Sequence, residues 1–517
     1  MTDAASEADT HAPTEDEFGG AVYLDVGAVR IQSYLGRSRH LWGRRGASAL
    51  LAGRSRGAAV TELLAATPSG VEVRPNPEAP EVDGVVSVIV TPGSAVEQVA
   101  RHVSRALGDE LPGLHLEARA AAAPTYIEAY TRMRDAGPLL EWLPGLFEYP
   151  PGKRCDECGI DAVVRTLTIG GKPVHACADC AARREGPSRQ RSAVRRPGAL
   201  VGTFTVEHRL MEAMDAGASE DFDGLAALSS VERGNHLVTI AADGNSLGSL
   251  FGAARERLAT RRKDGRRPED DRPGVGTAHL RELSSRVTET TWEALLAATR
   301  AVFDPQQHPL LPVVPHVLGG DDVLVSLPAD CAWRFVEALL AGFRGGSEPA
   351  RALAAIATGL EVPVPTLSAG VVISHSSLPF GQQVSLAEDL LHDAKGRVAG
   401  AGFSVAWLDT TWDGAQPVRG RRPMTLDELT AARTGLTALA GIGASARQVL
   451  AREIDTPDVE YAQRRVRSRL ARQHDEVANA VRTYLGARGA NLLAATWNAE
   501  ELVRVLRDGL SLARWWR

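Results

Sequence analysis

Residues 236–248 read HLVTIAADGNSLG and residues 316–330 read HVLGGDDVLVSLPAD, and these two runs decide the fold. The first is an apolar stretch that ends on an acid followed by glycine, as a buried strand entering a turn does. The second sets Gly319 and Gly320 between two apolar stretches, the pattern of a tight β-hairpin, with Asp321 and Asp322 at its tip. Further along, TLSAGVVIS (366–374) and FSVAWL (403–408) read as strands. WRFVEALLAGF (333–343) and LAEDLLHDAK (386–395) read as amphipathic helices. This is the element order of a ferredoxin-like sheet, in which the first strand lies beside the third at ~4.8 Å. Asp243, about 75 residues before the acidic pair, is therefore expected to face the turn that carries Asp321 and Asp322.

The same order precedes it. AVYLDVGAV (21–29), EVDGVVSVIV (81–90) and LHLEARA (114–120) read as strands, with helical stretches at about Leu41 to Ala66 and at SAVEQVARHVSRAL (94–107). The expected class is α+β, with two ferredoxin-like units that share little sequence. The expected organisation is an acidic disordered leader over 1–20 and a first unit over 21–147. A cysteine module over 148–185 and a basic connecting segment over 186–230 lead to the second unit over 231–410. A helical region over 411–517 closes the chain, with Thr425 and Glu428 spaced as a capping box.

The chain has 517 residues, 44% hydrophobic and 24% charged, which suits several folded domains rather than one. A formal net charge of −6 gives the surface as a whole no nucleic-acid signature. Local basic runs at Arg183 to Arg196, 261–267 and Arg464 to Arg472 fit RNA-backbone contacts and solubilising segments equally well. No apolar run reaches the ~18 residues of a membrane helix, and the start carries no signal-peptide pattern. Five cysteines, four of them in two Cys-x-x-Cys pairs, fit a reducing cytoplasm better than a disulfide framework.

Two features carry chemistry. Asp243, Asp321 and Asp322 converging at one sheet end repel one another unless a cation sits among them. Magnesium or manganese suits such oxygen ligands. Two such ions ~3.5–4 Å apart activate an attacking hydroxyl and stabilise a departing pyrophosphate, the chemistry of nucleotidyl transfer. Cys155 and Cys158, then 18 residues, then Cys177 and Cys180, have the spacing of a structural zinc site whose four thiolates leave no open position.

Taken in order, HLVTIAADGNSLG, HVLGGDDVLVSLPAD and TLSAGVVISHSSLPFGQQVSLAEDLLHDAK (366–395) resemble the catalytic palm of the large subunit of type III CRISPR effector complexes. LDVGAVRIQSYLGRSRHLWGRRGASALLA (24–52) is similar to the opening of that family's first, silent palm, especially in its III-B branch. The resemblance covers roughly residues 21–410. It implies two palms and a polymerase that joins ATP into cyclic oligoadenylates in antiviral defence. Asp243, Asp321 and Asp322 match its metal-binding carboxylates. Gly244, Asn245 and Ser246, with Gly319 and Gly320, match the turns against the triphosphate, and Ser368 and Lys395 match positions near the nucleotide. Guide RNA, target RNA and other effector subunits, small helical ones among them, are the implied partners. About 20 residues precede the first palm, so the family's His-Asp nuclease domain, and DNA cleavage, are not expected. Asn245 stands where some polymerase turns carry a second acid, which leaves the number of metals open. Two alternatives remain at this stage, a free-standing cyclase making a cyclic dinucleotide and a silent RNA-binding scaffold.

Overall fold

The computed structural model describes residues 22–517, apart from 39, 66, 68–69, 80–81, 144–151, 170, 186–190, 193–200, 203–204, 231–233, 264–276, 307, 400–401, 415–420, 472–474 and 489–497. The leader and much of the first two arginine-rich runs thus lie outside the described residues. Two compact units account for the rest. One comprises residues up to Tyr34, Ala49–Pro187 and Arg267–Arg281, the other Leu35–Ser48, Ser188–Arg266 and Glu282–Arg517.

The first unit begins with β1 (Val22–Val29) and passes through α1 (Ile31–Gly36), α2 (Leu41–Arg54) and α3 (Gly57–Ala65) to β2 (Glu72–Pro75) and β3 (Val85–Thr91). It continues with α4 (Val96–Glu110), β4 (His115–Ala121), α5 (Tyr126–Asp135) and β5 (Leu140–Trp142). The sheet order is β2-β3-β1-β4-β5, antiparallel throughout, with the first long strand central as the sequence pattern requires. Leu24, Val26, Val86, Val88 and Val90 alternate onto one buried face. Val99, Ala100, Val103 and Leu107 of α4, at helical spacing, are also fully or almost fully buried. The cysteine module follows as the hairpin β6 (Arg165–Ile169) and β7 (Lys172–Ala176) and the helix α6 (Ala178–Glu185).

The second unit opens with the short pair β8 (Arg191–Ser192) and β9 (Val201–Gly202), then α7 (Val206–Met214) and α8 (Phe222–Ala226). Its palm consists of β10 (His236–Asn245), α9 (Leu247–Lys263), α10 (Thr277–Val302), β11 (Val314–Gly319), β12 (Asp322–Pro328), α11 (Ala332–Ala341) and α12 (Glu348–Gly359). β13 (Thr366–His375), α13 (Phe380–Val398), β14 (Ser404–Asp409) and β15 (Met424–Thr425) complete it. The six strands run β11-β12-β10-β13-β14-β15, so β10 lies between the hairpin's second strand and β13. β13 and β14 pair in parallel, and the other pairings are antiparallel. Residues Leu35–Ser48 belong to this unit. Leu41 joins its core, Arg44 lies 3.1 Å over the Phe380 ring, and Arg45 forms a buried ion pair with Glu207 at 2.6 Å.

Alternation along β10 aims the future site. Leu237 and Ala241 enter the core that includes Phe380, Val384, Ala387, Leu390 and Ala394 of α13, and Thr239 bonds Gln383 of the same helix at 2.7 Å. Asp243, two residues beyond Ala241, therefore projects toward α13 as well. Gly370 makes the close seating of that helix possible, since a Cβ there would stand 2.0 Å from the Ala387 carbonyl oxygen.

A helical region follows: α14 (Leu426–Gly441), α15 (Ala444–Ile454), α16 (Val459–Leu470), α17 (Glu476–Arg488) and α18 (Ala499–Ala513). The capping box forms, with Glu428 N–H donating to Thr425 Oγ1 at 3.1 Å and Thr425 N–H to Glu428 Oε2 at 2.8 Å. The strand pair β14–β15 leads straight into α14, so the helices grow from the sheet edge. Trp515 Nε1 donates to the buried Asp409 at 2.7 Å and Trp516 Nε1 to Thr437 at 3.1 Å, which makes both tryptophans packing residues. Among the described residues no helix is long and apolar enough to cross a membrane.

Because α13 rests directly on Gly370, Gly370→Ala should destabilise the second unit by about 1–3 kcal/mol, as helix backbone rather than a pliant side chain must yield. A lowered thermal midpoint is expected, and an unchanged one would show that α13 is free to shift outward.

Candidate active site and cysteine cluster

Three backbone features bring the acids together. Asp322 opens β12 and pairs with Gly319, leaving Gly320 and Asp321 as the two-residue turn, with Gly320 at φ +64°. No atom stands within 4 Å of where a Cβ would lie on Gly319 or Gly320, so the space beside the hairpin is open. Gly244 N–H donates to Asp321 Oδ2 at 3.1 Å, and a Cβ on Gly244 would come within 2.6 Å of that oxygen. Glycine is thus demanded at 244 by the approach of the acid itself. Ser246, at φ +65°, turns the chain from β10 into α9.

α13 supplies the counter-charge. Lys395 Nζ forms an ion pair with Asp243 and donates to the Gly244 carbonyl at 3.1 Å. Burial pushes Asp321 up to about 7, with hydrogen bonding and charge from Asp243 and charge from Asp322 adding to it. Asp322 is raised to about 6 by burial and then by Asp243, against the pull of Lys395. Glu388, two helical turns before Lys395, adds its negative charge to Asp322 and is itself raised by burial. One ammonium among these carboxylates leaves an excess of negative charge. The donor set is oxygen only and partly open, the ligand chemistry that hard divalent cations take.

The remaining residues singled out by resemblance fall elsewhere. Asn245 is 3% exposed, and its amide nitrogen reaches Thr366 Oγ1, Ser368 Oγ and the Gly402 carbonyl at 2.9–3.1 Å. Ser368 is fully buried, 2.9 Å from Ser404 Oγ, and Ser404 donates to the Ala394 carbonyl at 2.7 Å. Both side chains are buried and turned into hydrogen bonds within the protein. They tie the end of β10 to β13, β14 and the turn of α13 that carries Lys395. The reason is register: Asp243 stands opposite Ser368, and Asn245 opposite Thr366, within the paired strands. Thr366, Gly402, Ser404 and Glu388 were missed by sequence reasoning. Only the i, i+7 spacing of Glu388 and Lys395 on one helix offered any signal.

In the cysteine module all four sulfurs lie within 4.8 Å of one another, and all four residues are buried. Cys158 Sγ and Cys177 Sγ are 3.8 Å apart, which is the edge of a tetrahedron with metal–sulfur bonds of ~2.3 Å. Backbone N–H groups of Ile160 and Cys180 point at Cys158 Sγ and Cys177 Sγ, each at 3.4 Å, as they would toward thiolates. The cluster could hold a zinc ion. His175 is turned away, its ring 3.1 Å from Thr166 Oγ1. Between the second pair, Asp179 binds the fully buried Arg183 at 2.9 Å, and Arg183 donates to the Tyr34 carbonyl at 2.8 Å, anchoring α6.

Comparison with known proteins agrees with this outline. Residues 236–399 match the family model of the Cas10/Cmr2 second palm domain. Three crystal structures of a Csm1–Csm4 cassette, in complex with cA4, AMPPNP and cA3, have Csm1-like folds at TM-scores of 0.52, 0.52 and 0.50. Their identities to this chain are 15%, 14% and 15%. They cover 96%, 97% and 97% of it, and it covers 70% of theirs. A search of curated proteins finds no match. Residues 236–399 are thus similar to a palm of the Cas10/Cmr2 type, within an α+β protein that also has C-terminal helices and a four-cysteine cluster.

With Asp321 and Asp322 holding protons up to about 7 and about 6, manganese affinity should rise as pH passes through that range, with proton release on binding. In the metal-free protein the same raised carboxylates cost stability as they ionise, so its thermal midpoint should fall as pH rises from the ordinary carboxylate range through about 7. Calorimetry across pH checks both, and a pH-independent manganese affinity counts against these ligands. For the cysteines, elemental analysis should find one zinc per chain, and Cys155→Ser should lower both zinc content and thermal midpoint. A metal-free wild type with an unchanged melt removes the structural role.

Proposed function

We propose that the second palm is a metal-dependent nucleotidyltransferase that joins ATP into cyclic oligoadenylates, acting as the large subunit of a type III CRISPR effector complex. The observation that carries this reading is the convergence of Asp243, Asp321 and Asp322 with Lys395 at one sheet end, inside a region matching the Cas10/Cmr2 palm. Support for the substrate comes from the complexes of similar folds with AMPPNP, cA3 and cA4.

In this mechanism Asp243, Asp321 and Asp322 would hold magnesium or manganese. When bound, the metal supplies charge neutralisation at the phosphates and acidity to the attacking hydroxyl. The open turn at Gly319 and Gly320 leaves room for a triphosphate to approach the backbone. Lys395, held at Asp243 and the Gly244 carbonyl, would place its ammonium where it can neutralise phosphate charge beside a bound cation. Asn245 and Ser368 position the Gly244–Ser246 turn and the helix end that carries Lys395. Pyrophosphate leaves on the open side of the hairpin. The zinc module and the first unit are assigned structural roles.

The partner proposed first is another effector subunit, since Csm1 is seen with Csm4. Guide and target RNA, small helical subunits and a cytoplasmic setting complete the reading.

The test separates an enzyme from a scaffold. Asp321→Ala/Asp322→Ala should lower pyrophosphate release from ATP and manganese by on the order of a thousandfold or more, with a melt at or slightly above wild type. Lys395→Ala should have a smaller effect. Mass spectrometry of products, with and without candidate RNA and subunits, identifies the ring. A double variant with undiminished product refutes the assignment, and a wild type inert under all these conditions favours an RNA-binding scaffold.

A further inference from the structure

α13 continues past Lys395 to Arg397, and there a second charged cavity begins, of about 160 Å³ or some five waters' worth of space. Its wall comes from the end of α13, the strand β15 and the helices α14, α17 and α18. Four arginines line it: Arg397, Arg422, Arg488 and Arg504. Three acids line it as well, but each is already engaged. Glu428 accepts from Arg397 at 3.0 Å and from the Thr425 N–H at 2.8 Å. Asp508 accepts from Arg421 at 3.1 Å and lies 3.9 Å from Arg504, and Glu501 lies 3.4 Å from Arg504.

That leaves Arg422 and Arg488 with no hydrogen bond or ion pair among the described residues. The charge of Arg488 reaches Glu428, which is held below the usual carboxylate range despite its burial, through the Thr425 N–H and the charges of Arg397 and Arg488. The Nε atoms of Arg397 and Arg488 are buried and unpartnered. Those two buried N–H groups are costly without acceptors, and the exposed Arg422 adds an unpaired positive charge at the same cavity, a combination that suits a multiply charged anion. Planar guanidinium forks match phosphate oxygens, and several converging ones favour a phosphate over a singly charged carboxylate.

We propose that this cavity is a binding site for a phosphate-bearing anion, distinct from the metal site and held by Arg422, Arg488 and Arg397. The phosphate belongs either to a free inorganic anion or to the backbone of an oligonucleotide, and the experiment tells these apart. The site does not depend on the proposed chemistry, because its ligands lie outside the carboxylate cluster.

The test uses the full chain in EDTA, which removes divalent-dependent binding at Asp243, Asp321 and Asp322, repeated in the Asp321→Ala/Asp322→Ala background. Inorganic pyrophosphate and a short 5′-phosphorylated oligoadenylate are titrated calorimetrically into wild type and into Arg422→Gln/Arg488→Gln. Wild type should bind at least one probe, and the double variant should bind it about tenfold or more weakly for each guanidinium removed. Its melt should fall only slightly, since neither side chain has a protein hydrogen bond to lose and only the charge of Arg488 near Glu428 is removed. Pyrophosphate binding alone assigns a free anion, and oligoadenylate binding that vanishes in the same variant assigns a backbone phosphate. Silence of both probes with wild type, or equal affinities in the variant, overturns the site. An inactive chain that still binds pyrophosphate leaves it standing while the cyclase reading fails.

Discussion

Negative charge crowded at one end of a sheet is the constraint on which the rest of the second unit depends. Asp321 and Asp322 sit on a turn that only a compact hairpin can make, with Gly320 in the left-handed region. Asp243 comes from the neighbouring strand, and Gly244 must lack a side chain because Asp321 lies against it. Such an arrangement is unstable in isolation, since burial and mutual repulsion hold protons on two of the acids near neutral pH. The fold resists it from outside the site. A hydrophobic sheet fixes the strands, and Gly370 lets α13 settle close enough for Lys395 to reach Asp243.

Support for the site is polar and buried rather than exposed. The chain Asn245–Ser368–Ser404–Ala394 links β10, β13, β14 and α13 through hydrogen bonds in fully or almost fully buried positions. Buried networks of this kind specify one geometry, because a displaced member leaves others unsatisfied. Asn245 thereby acts on position rather than on charge, its amide held inside this network. The negative charge at the site then rests on Asp243, Asp321, Asp322 and the more distant Glu388.

In the first unit a similar logic applies to sulfur. Four buried cysteines drawn within a tetrahedron's dimensions have no apolar reason to be so close, and a thiolate-binding cation gives them one. Asp179, inside the second Cys-x-x-Cys pair, spends its charge on Arg183 and leaves the sulfurs alone. At the far end of the chain, Asp409, Asp413 and Asp508 hold Arg421, Arg514 and Trp515. The helical region is therefore fastened to β14 and the turn after it by buried charge as well as by packing.

Much of this was legible in the sequence because it depends on local rules. Strand alternation, the Gly-Gly-Asp-Asp hairpin, the cysteine spacing and the Thr425–Glu428 box each act within a few residues, and each formed as read. Strand order placed Asp243 beside Asp321 because the first strand of such a sheet lies next to the third. What the tertiary structure alone decided involves faces and register across long separations. The inward turn of Asn245 and Ser368 follows from β10 remaining paired with β13 past Asp243, which no local pattern announces. The role of Glu388, and the inclusion of Leu35–Ser48 in the second unit, likewise depend on which helix face meets which strand. Those choices are made by packing between segments far apart in the chain, so the residues concerned look ordinary until the chain is folded.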